Sequence, residues 1–225
     1  MLLVSVIVQA MQNVFTVHNK IALLDKVIKK SDVVLDIGFW GQGITYTSPA
    51  WPHKQLKDRA ADVYGIDIIF DESIIPESDR HKYQKAAAEN FHFDKKFDVI
   101  FAGDLIEHLV NPGLFLDNAK AHLAPGGKLI MTTPNTFNLF VMAGKLTRPE
   151  PPTNADHTFY FNRRTISTLL DKCGFEVDSF GFMFTLEYGF KESIKKKFLN
   201  AVYQFLSWFT PKYLETLIIV AVPKK

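Results

Sequence analysis

The chain is short of cysteine, of net charge and of long apolar runs, and each shortage narrows what it can be. One cysteine, Cys173, among 225 residues leaves no internal disulfide and no multi-cysteine zinc site. That usage fits a reducing compartment, and a cytoplasmic location is expected. Lys and Arg number 26 against 24 Asp and Glu, a formal net charge of +2, so no global field gathers nucleic acid and none is expected as a partner. No uncharged run reaches the roughly 20 apolar residues that a spanning helix needs. Met1 to Val17 carries no charged side chain, but it lacks the basic start and the small-residue cleavage site of a secretory signal. The pattern there predicts an amphipathic helix covering the sheet, part of a helical layer over residues 1–30 that ends in the apolar-periodic Ile21 to Ile28. Internal repeats and low-complexity tracts are missing too, and at this length a single domain over 1–225 is the expectation.

What is present centres on residues 33–43, VVLDIGFWGQG. Val33, Val34, Leu35 and Ile37 read as a short strand buried on both faces. It runs into Gly38, Gly41 and Gly43, which let the backbone turn sharply and let a ligand approach closely. A buried strand feeding such a loop is how open α/β sheets build a nucleotide crevice at their carboxyl edge. Two carboxylates refine the reading. Asp36 lies inside the strand end, where burial demands a partner. It argues against a nicotinamide cofactor, whose pyrophosphate tolerates no carboxylate beside its loop, and suits a ligand with a cationic amino-acid end. Asp67 ends a second short strand, Val63 to Ile68, where an acid can accept hydrogen bonds from both ribose hydroxyls.

These residues resemble the class I S-adenosylmethionine-dependent methyltransferases, and the likeness extends along the chain. Phe97 to Phe101 looks like the family's fourth strand, Asp104-Leu105-Ile106-Glu107-His108-Leu109 follows it, and Leu123 to Ile130 with its Pro125-Gly126-Gly127 turn looks like the entry to the fifth. Phe175–Phe184 and Glu215–Val222 look like the closing antiparallel strands. The resemblance covers roughly residues 30–180. It implies a Rossmann-like, doubly wound α/β sheet, mostly parallel with an antiparallel closing strand and helices on both faces. It also implies S-adenosylmethionine as cofactor, with Asp36 at the amino group, Gly38, Gly41 and Gly43 in the loop, and Asp67 on the ribose. Ile68, Ala88 and Glu89 fall where the adenine is held, and Asp104 where the next strand meets the cofactor.

The chain departs from the family pattern in two places. The glycine spacing is G-x-x-G-x-G, one residue longer than usual, with Phe39 and Trp40 in the extra room. Pro49 and Pro52 cannot both sit in a helix interior, so the following helix is predicted to start late, near His53 or Lys54. Trp40, Tyr46 and Trp51 then either wall the ligand site or pack on the domain. In the second place, Ala87 stands where relatives carry an acid before the adenine-contacting alanine.

Catalytic candidates are His157, His108 and Glu107, because a weakly acidic hydroxyl acceptor needs a base. Asp104-x-x-Glu107-His108 also looks like the metal-associated motif of certain quinone and RNA methyltransferases, where a divalent ion would lower a hydroxyl's pKa; the reading adopted assigns no metal. Residues 71–85 read as loop and helix, 136–160 as a lid-like loop and 190–212 as a helical insertion. Phe198, Val202, Phe205, Leu206 and Phe209 share a helical face behind Lys195 to Lys197, which suits either the domain's own core or weak contact with an anionic membrane. Two function classes remain: a methyltransferase for a small molecule or a glycan or lipid-linked precursor, acting on oxygen, and a catalytically silent binding or scaffold domain.

Overall fold

The computed structural model of the chain describes residues 14–41, 46–145, 154–184, 205 and 210–225. At their centre is β2 (Val33–Ile37), whose side chains alternate between two cores. Val34 packs with Leu23, Leu24, Val27, Leu56 and Ile130 on one face. Leu35 and Ile37 pack with Ile66, Ile100, Phe115 and Leu129 on the other. A strand with both faces covered can be apolar throughout, which is why the sequence shows a run here rather than an alternation.

Seven more strands join it among the described residues: β1 (Val14–Val17), β3 (Asp62–Asp67), β4 (Tyr83–Lys85), β5 (Phe97–Gly103), β6 (Leu123–Pro134), β7 (Phe175–Met183) and β8 (Thr216–Pro223). The order is β1-β7-β8-β6-β5-β2-β3-β4. Only β8 runs antiparallel, between β6 and β7. The Rossmann-like sheet with an antiparallel closing strand is therefore as expected. Because β3 and β5 flank β2 on opposite sides, the winding reverses there and opens a crevice at the strands' carboxyl ends.

Helices cover both faces. On one lie α1 (Lys20–Val27), through Leu23, Leu24 and Val27, and α2 (Pro52–Lys57), through Leu56. On the other lie α3 (Pro112–His122) and α5 (Arg163–Lys172), through Phe115, Leu116, Ile166 and Leu170. Asparagines start three of them: Asn19, Asn111 and Asn162 each accept a first-turn amide, and Asn162 forms a reciprocal capping box with Thr165. Gly174, at φ +77°, ends α5 in the left-handed conformation that favours glycine.

Three local expectations are corrected. Val14–Val17 is a strand rather than part of a helical layer: Val-Phe-Thr-Val is β-branched and aromatic, and it pairs in parallel with β7 at the sheet edge. Residues 71–85 hold two 3-10 turns, Glu72–Ile74 and Glu77–Lys82, and then β4, with no α-helix. The 136–160 stretch is not loop throughout, since α4 (Leu139–Lys145) lies in it. The expected insertion at 190–212 and its membrane-facing stripe lie outside the described residues, apart from exposed Phe205 and the 3-10 turn beginning at Pro211. Among the described residues no helix is long and apolar enough to cross a membrane.

Candidate active site

The carboxyl ends of β2, β3, β5 and β6 bring Asp36, Asp67, Asp104 and Thr132–Thr133 to one edge of the sheet. Gly38 and Gly41 have φ of +77° and +66°, so the loop turns as glycine permits. Gly38 N–H donates to the Ile66 carbonyl at 2.8 Å, tying the loop to β3. The Asp67 carboxylate accepts from Trp40 N–H at 3.0 Å and Ile69 N–H at 3.2 Å. It thereby holds the loop while retaining lone pairs for a ligand. Ala86 N–H donates to the Asp67 carbonyl, which sets buried Ala88 and half-buried Glu89 beside the end of β3; Ile68 is largely exposed there. Gly43 lies outside the described residues.

The two residues between Gly38 and Gly41 divide. Phe39 turns inward, 2% exposed, into a cluster with Trp51, Phe70 and Ile75, while Trp40 stacks on partly exposed Tyr46 with ring centroids 5.6 Å apart. Trp51 caps the arrangement by donating its indole N–H to the Phe39 carbonyl at 2.7 Å. Helix α2 starts at Pro52, whose missing N–H is harmless at a first helical position. Gly65 makes room for the inward ring: a Cβ there would sit 2.8 Å from Phe39 and 2.9 Å from Tyr83. Gly65→Ala is expected to displace Phe39 and destabilise the protein by about 1–3 kcal/mol, read as a lower urea midpoint at unchanged slope.

Asp36 is 3% exposed and finds its partner in His53, Nδ1 to Oδ2 at 2.9 Å; His53 Nε2 in turn meets the Tyr83 hydroxyl at 2.8 Å. Burial, with the charges of Asp79 and Asp36, pushes the Tyr83 phenol upward, so that hydroxyl keeps its proton. Sequence separations of 17 and 30 residues hid this chain of bonds.

Asp104 is the one described non-glycine residue at positive φ, +52°. Thr132 secures it, accepting from Asp104 N–H at both its carbonyl and its hydroxyl oxygen and donating that hydroxyl to Oδ1 at 2.8 Å. Lys20 Nζ pairs with Oδ2 at 2.7 Å. Burial opposes ionisation of Asp104, but Lys20 and the Thr132 hydroxyl outweigh it and hold the carboxyl below its usual range. Lys20 stands outside every sequence motif; its signal was only a cation at the start of an amphipathic helix.

Glu107 lies in the 3-10 turn after β5, 1% exposed, with neither oxygen in a well-formed hydrogen bond among the described residues and the Thr133 hydroxyl close enough to favour its charge. Burial first, and then the Asp104 charge, push its carboxyl up to about 8. The segment carrying His157 is stitched to this turn: Thr158 donates its N–H to the Glu107 carbonyl at 2.8 Å and its hydroxyl to the Leu109 carbonyl at 2.7 Å. His108 and His157 consequently meet edge to face, centroids 4.7 Å apart, and burial followed by the His108 charge lowers the His157 pKa. Ligand atoms of Glu107, His108 and His157 lie within 4.8 Å of one another. The three catalytic candidates, 50 residues apart in sequence, are thus one cluster, and its donor set of a carboxylate without a well-formed hydrogen bond and two imidazoles fits a divalent ion.

The crevice is that of a nucleotide-binding α/β domain, and Lys20, paired with Asp104, also feels the charges of Asp36 and Glu107. A family model described as a methyltransferase domain matches residues 13–179, and the chain belongs to that family. It is 38% identical over 67 residues to a ubiquinone biosynthesis O-methyltransferase of Nitrobacter winogradskyi, covering 28% of this chain and 26% of that one. It is 29% identical over 129 residues to a probable S-adenosylmethionine-dependent methyltransferase of Mycolicibacterium smegmatis, covering 55% and 47%. The chain therefore spans about a quarter to a half of the length of these curated relatives. Among solved structures, a methyltransferase-like protein of Bacillus halodurans shares the fold at TM-score 0.56 and 19% identity over 91% of this chain and 98% of that one.

Proposed function

We propose that the chain binds S-adenosylmethionine at this edge and catalyses methyl transfer to a hydroxyl of a small molecule or of a glycan or lipid-linked precursor. The observation that carries the proposal is the convergence of Glu107, His108 and His157 beside Asp104. The residues fit the cofactor: Asp36 and Asp104 outnumber the one lysine near them and favour a ligand with cationic centres, and among the described residues nothing lies within 4 Å of a Cβ built on Gly41. When bound, the cofactor supplies an electrophilic methyl on a sulfonium. Asp67 accepts from the ribose hydroxyls, while Ile68, Ala88 and Glu89 border the adenine. His157, kept neutral by its lowered pKa, takes the hydroxyl proton on a ring nitrogen. The bonds from Thr158 hold His157 beside the turn, and proximity supplies much of the acceleration. The name of the Nitrobacter relative favours oxygen as the atom methylated.

His157→Asn keeps a hydrogen-bonding side chain without the basic nitrogen. It is expected to retain cofactor affinity and lose on the order of 100-fold in rate, measured with radiolabelled cofactor and hydroxyl acceptors drawn from cell extracts. Full activity in that variant would remove the base assignment. No labelled product from any acceptor, with cofactor binding intact, would favour the silent binding domain.

A second reading follows from Glu107. A buried carboxylate without a well-formed hydrogen bond beside two imidazoles is suited to hold a divalent ion, which would activate the hydroxyl in place of a histidine base. Under this reading methyl transfer is lost with a chelator and returns with added metal.

A further inference from the structure

We infer that His53, backed by Tyr83, is a positioning residue for the methyl donor: it holds the Asp36 carboxylate by one oxygen so that the other meets the donor's ammonium. The inference rests on the proposed cofactor and on Asp36 as the acid at its amino group. His53 Nδ1 bonds Asp36 Oδ2 at 2.9 Å, and its Nε2 bonds the Tyr83 hydroxyl at 2.8 Å. Asp36 Oδ1 makes no hydrogen bond among the described residues, so its lone pairs remain for a ligand.

The bracket is built where the chain departs from its family. Asp36, Gly65 and Tyr83 are paired across β2, β3 and β4, which puts them in one row of the sheet. Side chains in such a row share a face, and Gly65 contributes none. His53 closes the gap that the glycine leaves between the carboxylate and the phenol. Its ring is 1% exposed and lies among Phe39, Trp51 and Tyr83, with centroids 4.9, 5.0 and 5.4 Å away. Phe39 belongs to the lengthened glycine loop. Trp51 precedes Pro52, where α2 starts, and that start places His53 in the first turn. A ring packed against three others has little freedom to swing, so the carboxylate it bonds keeps one orientation.

The consequence is selective. Without the imidazole, Asp36 loses the bond that orients it and becomes a buried charge without a partner, so it turns away or takes up a proton. Either change weakens a charge-assisted bond to an ammonium. The adenosine end depends on Asp67 and on the segment after β4, and neither bonds His53. Loss of the bracket therefore tells at the amino-acid end of the donor and leaves the nucleoside end alone.

The test is calorimetric titration of the whole chain with two probes, S-adenosylhomocysteine and methylthioadenosine, which keeps the nucleoside and thioether but lacks the amino-acid end. His53→Leu is expected to bind S-adenosylhomocysteine about tenfold more weakly than wild type and methylthioadenosine as well as wild type does. His53→Asn, whose amide can take the place of Nδ1, restores most of the loss. A purely structural histidine would weaken both probes by one factor and preserve their ratio, which would overturn the inference. So would unchanged affinity for both. In an Asp36→Asn background His53→Leu should add nothing to the loss, because it acts through that carboxylate, and a full additive loss would also overturn the inference. If His53→Leu does not fold, Tyr83→Phe removes a single hydroxyl and carries the same comparison, with an expected selective loss of about threefold. Wild type that binds neither probe would overturn the cofactor reading itself, an outcome distinct from an unchanged ratio.

Discussion

Replacing Glu107 with Gln raises the melting temperature above neutral pH and changes it little in mild acid. The Glu107 carboxyl is raised from an ordinary 4.5 to about 8, because burial penalises its charge and Asp104 repels it. A raised folded pKa gives stability that is fully present below the unfolded value and is lost as pH climbs through the folded one. Above pH 8 the wild-type protein buries the charge at a penalty on the order of 5 kcal/mol. Gln has the same shape and does not titrate. A domain of this size shifts by about 2–4 °C per kcal/mol, so the variant should melt roughly 10 °C above wild type at pH 8.5 and close to it at pH 4.5. Calorimetric melting at the two pH values decides this, and an equal shift at both would refute the buried-charge account. Adding manganese at pH 8.5 separates the two ways of activating the acceptor. If the ion occupies the Glu107, His108, His157 cluster, it stabilises wild type and leaves Glu107→Gln unchanged. If His157 alone is the base, neither responds.

Asp67→Ala weakens binding of S-adenosylhomocysteine by about 30-fold or more, the equivalent of a lost pair of charge-assisted hydrogen bonds at about 2–3 kcal/mol. The carboxylate has a double duty that adds to this. It also accepts from Trp40 and Ile69, so the alanine variant leaves two amides without their acceptor and loosens the loop. Asp67→Asn keeps one carbonyl oxygen and should fall between the two. Titration of folded variants measures the series, and unchanged affinity in Asp67→Ala would remove the ribose assignment.

The parts that were legible in the sequence share a physical property: they are local. The β2 strand and its glycine loop are one contiguous segment, and β5 with its following turn is another. Gly174 stops a helix and Pro52 starts one through their own backbone restrictions. The parts that were hidden depend on partners distant along the chain. Val14–Val17 has the composition of a strand, yet as an uncharged four-residue stretch it becomes one only by pairing with β7, more than 160 residues later. The partner that buried Asp36 demands was hidden because His53, which bonds it, resides in a short helix, and Tyr83, which bonds His53, in an edge strand. Lys20 precedes the glycine loop by 18 residues and reaches Asp104 only because α1 packs across the sheet. His157 joins Glu107 and His108 through the Thr158 bonds, which no spacing encodes.

The most direct measurement of the central claim is a crystal structure of the chain grown with S-adenosylhomocysteine. The account predicts the ligand across the carboxyl ends of β2, β3 and β5, its ribose hydroxyls on the Asp67 carboxylate and its adenine beside Ile68 and Ala88. A ligand bound elsewhere, or an empty crevice at a saturating concentration, would contradict it.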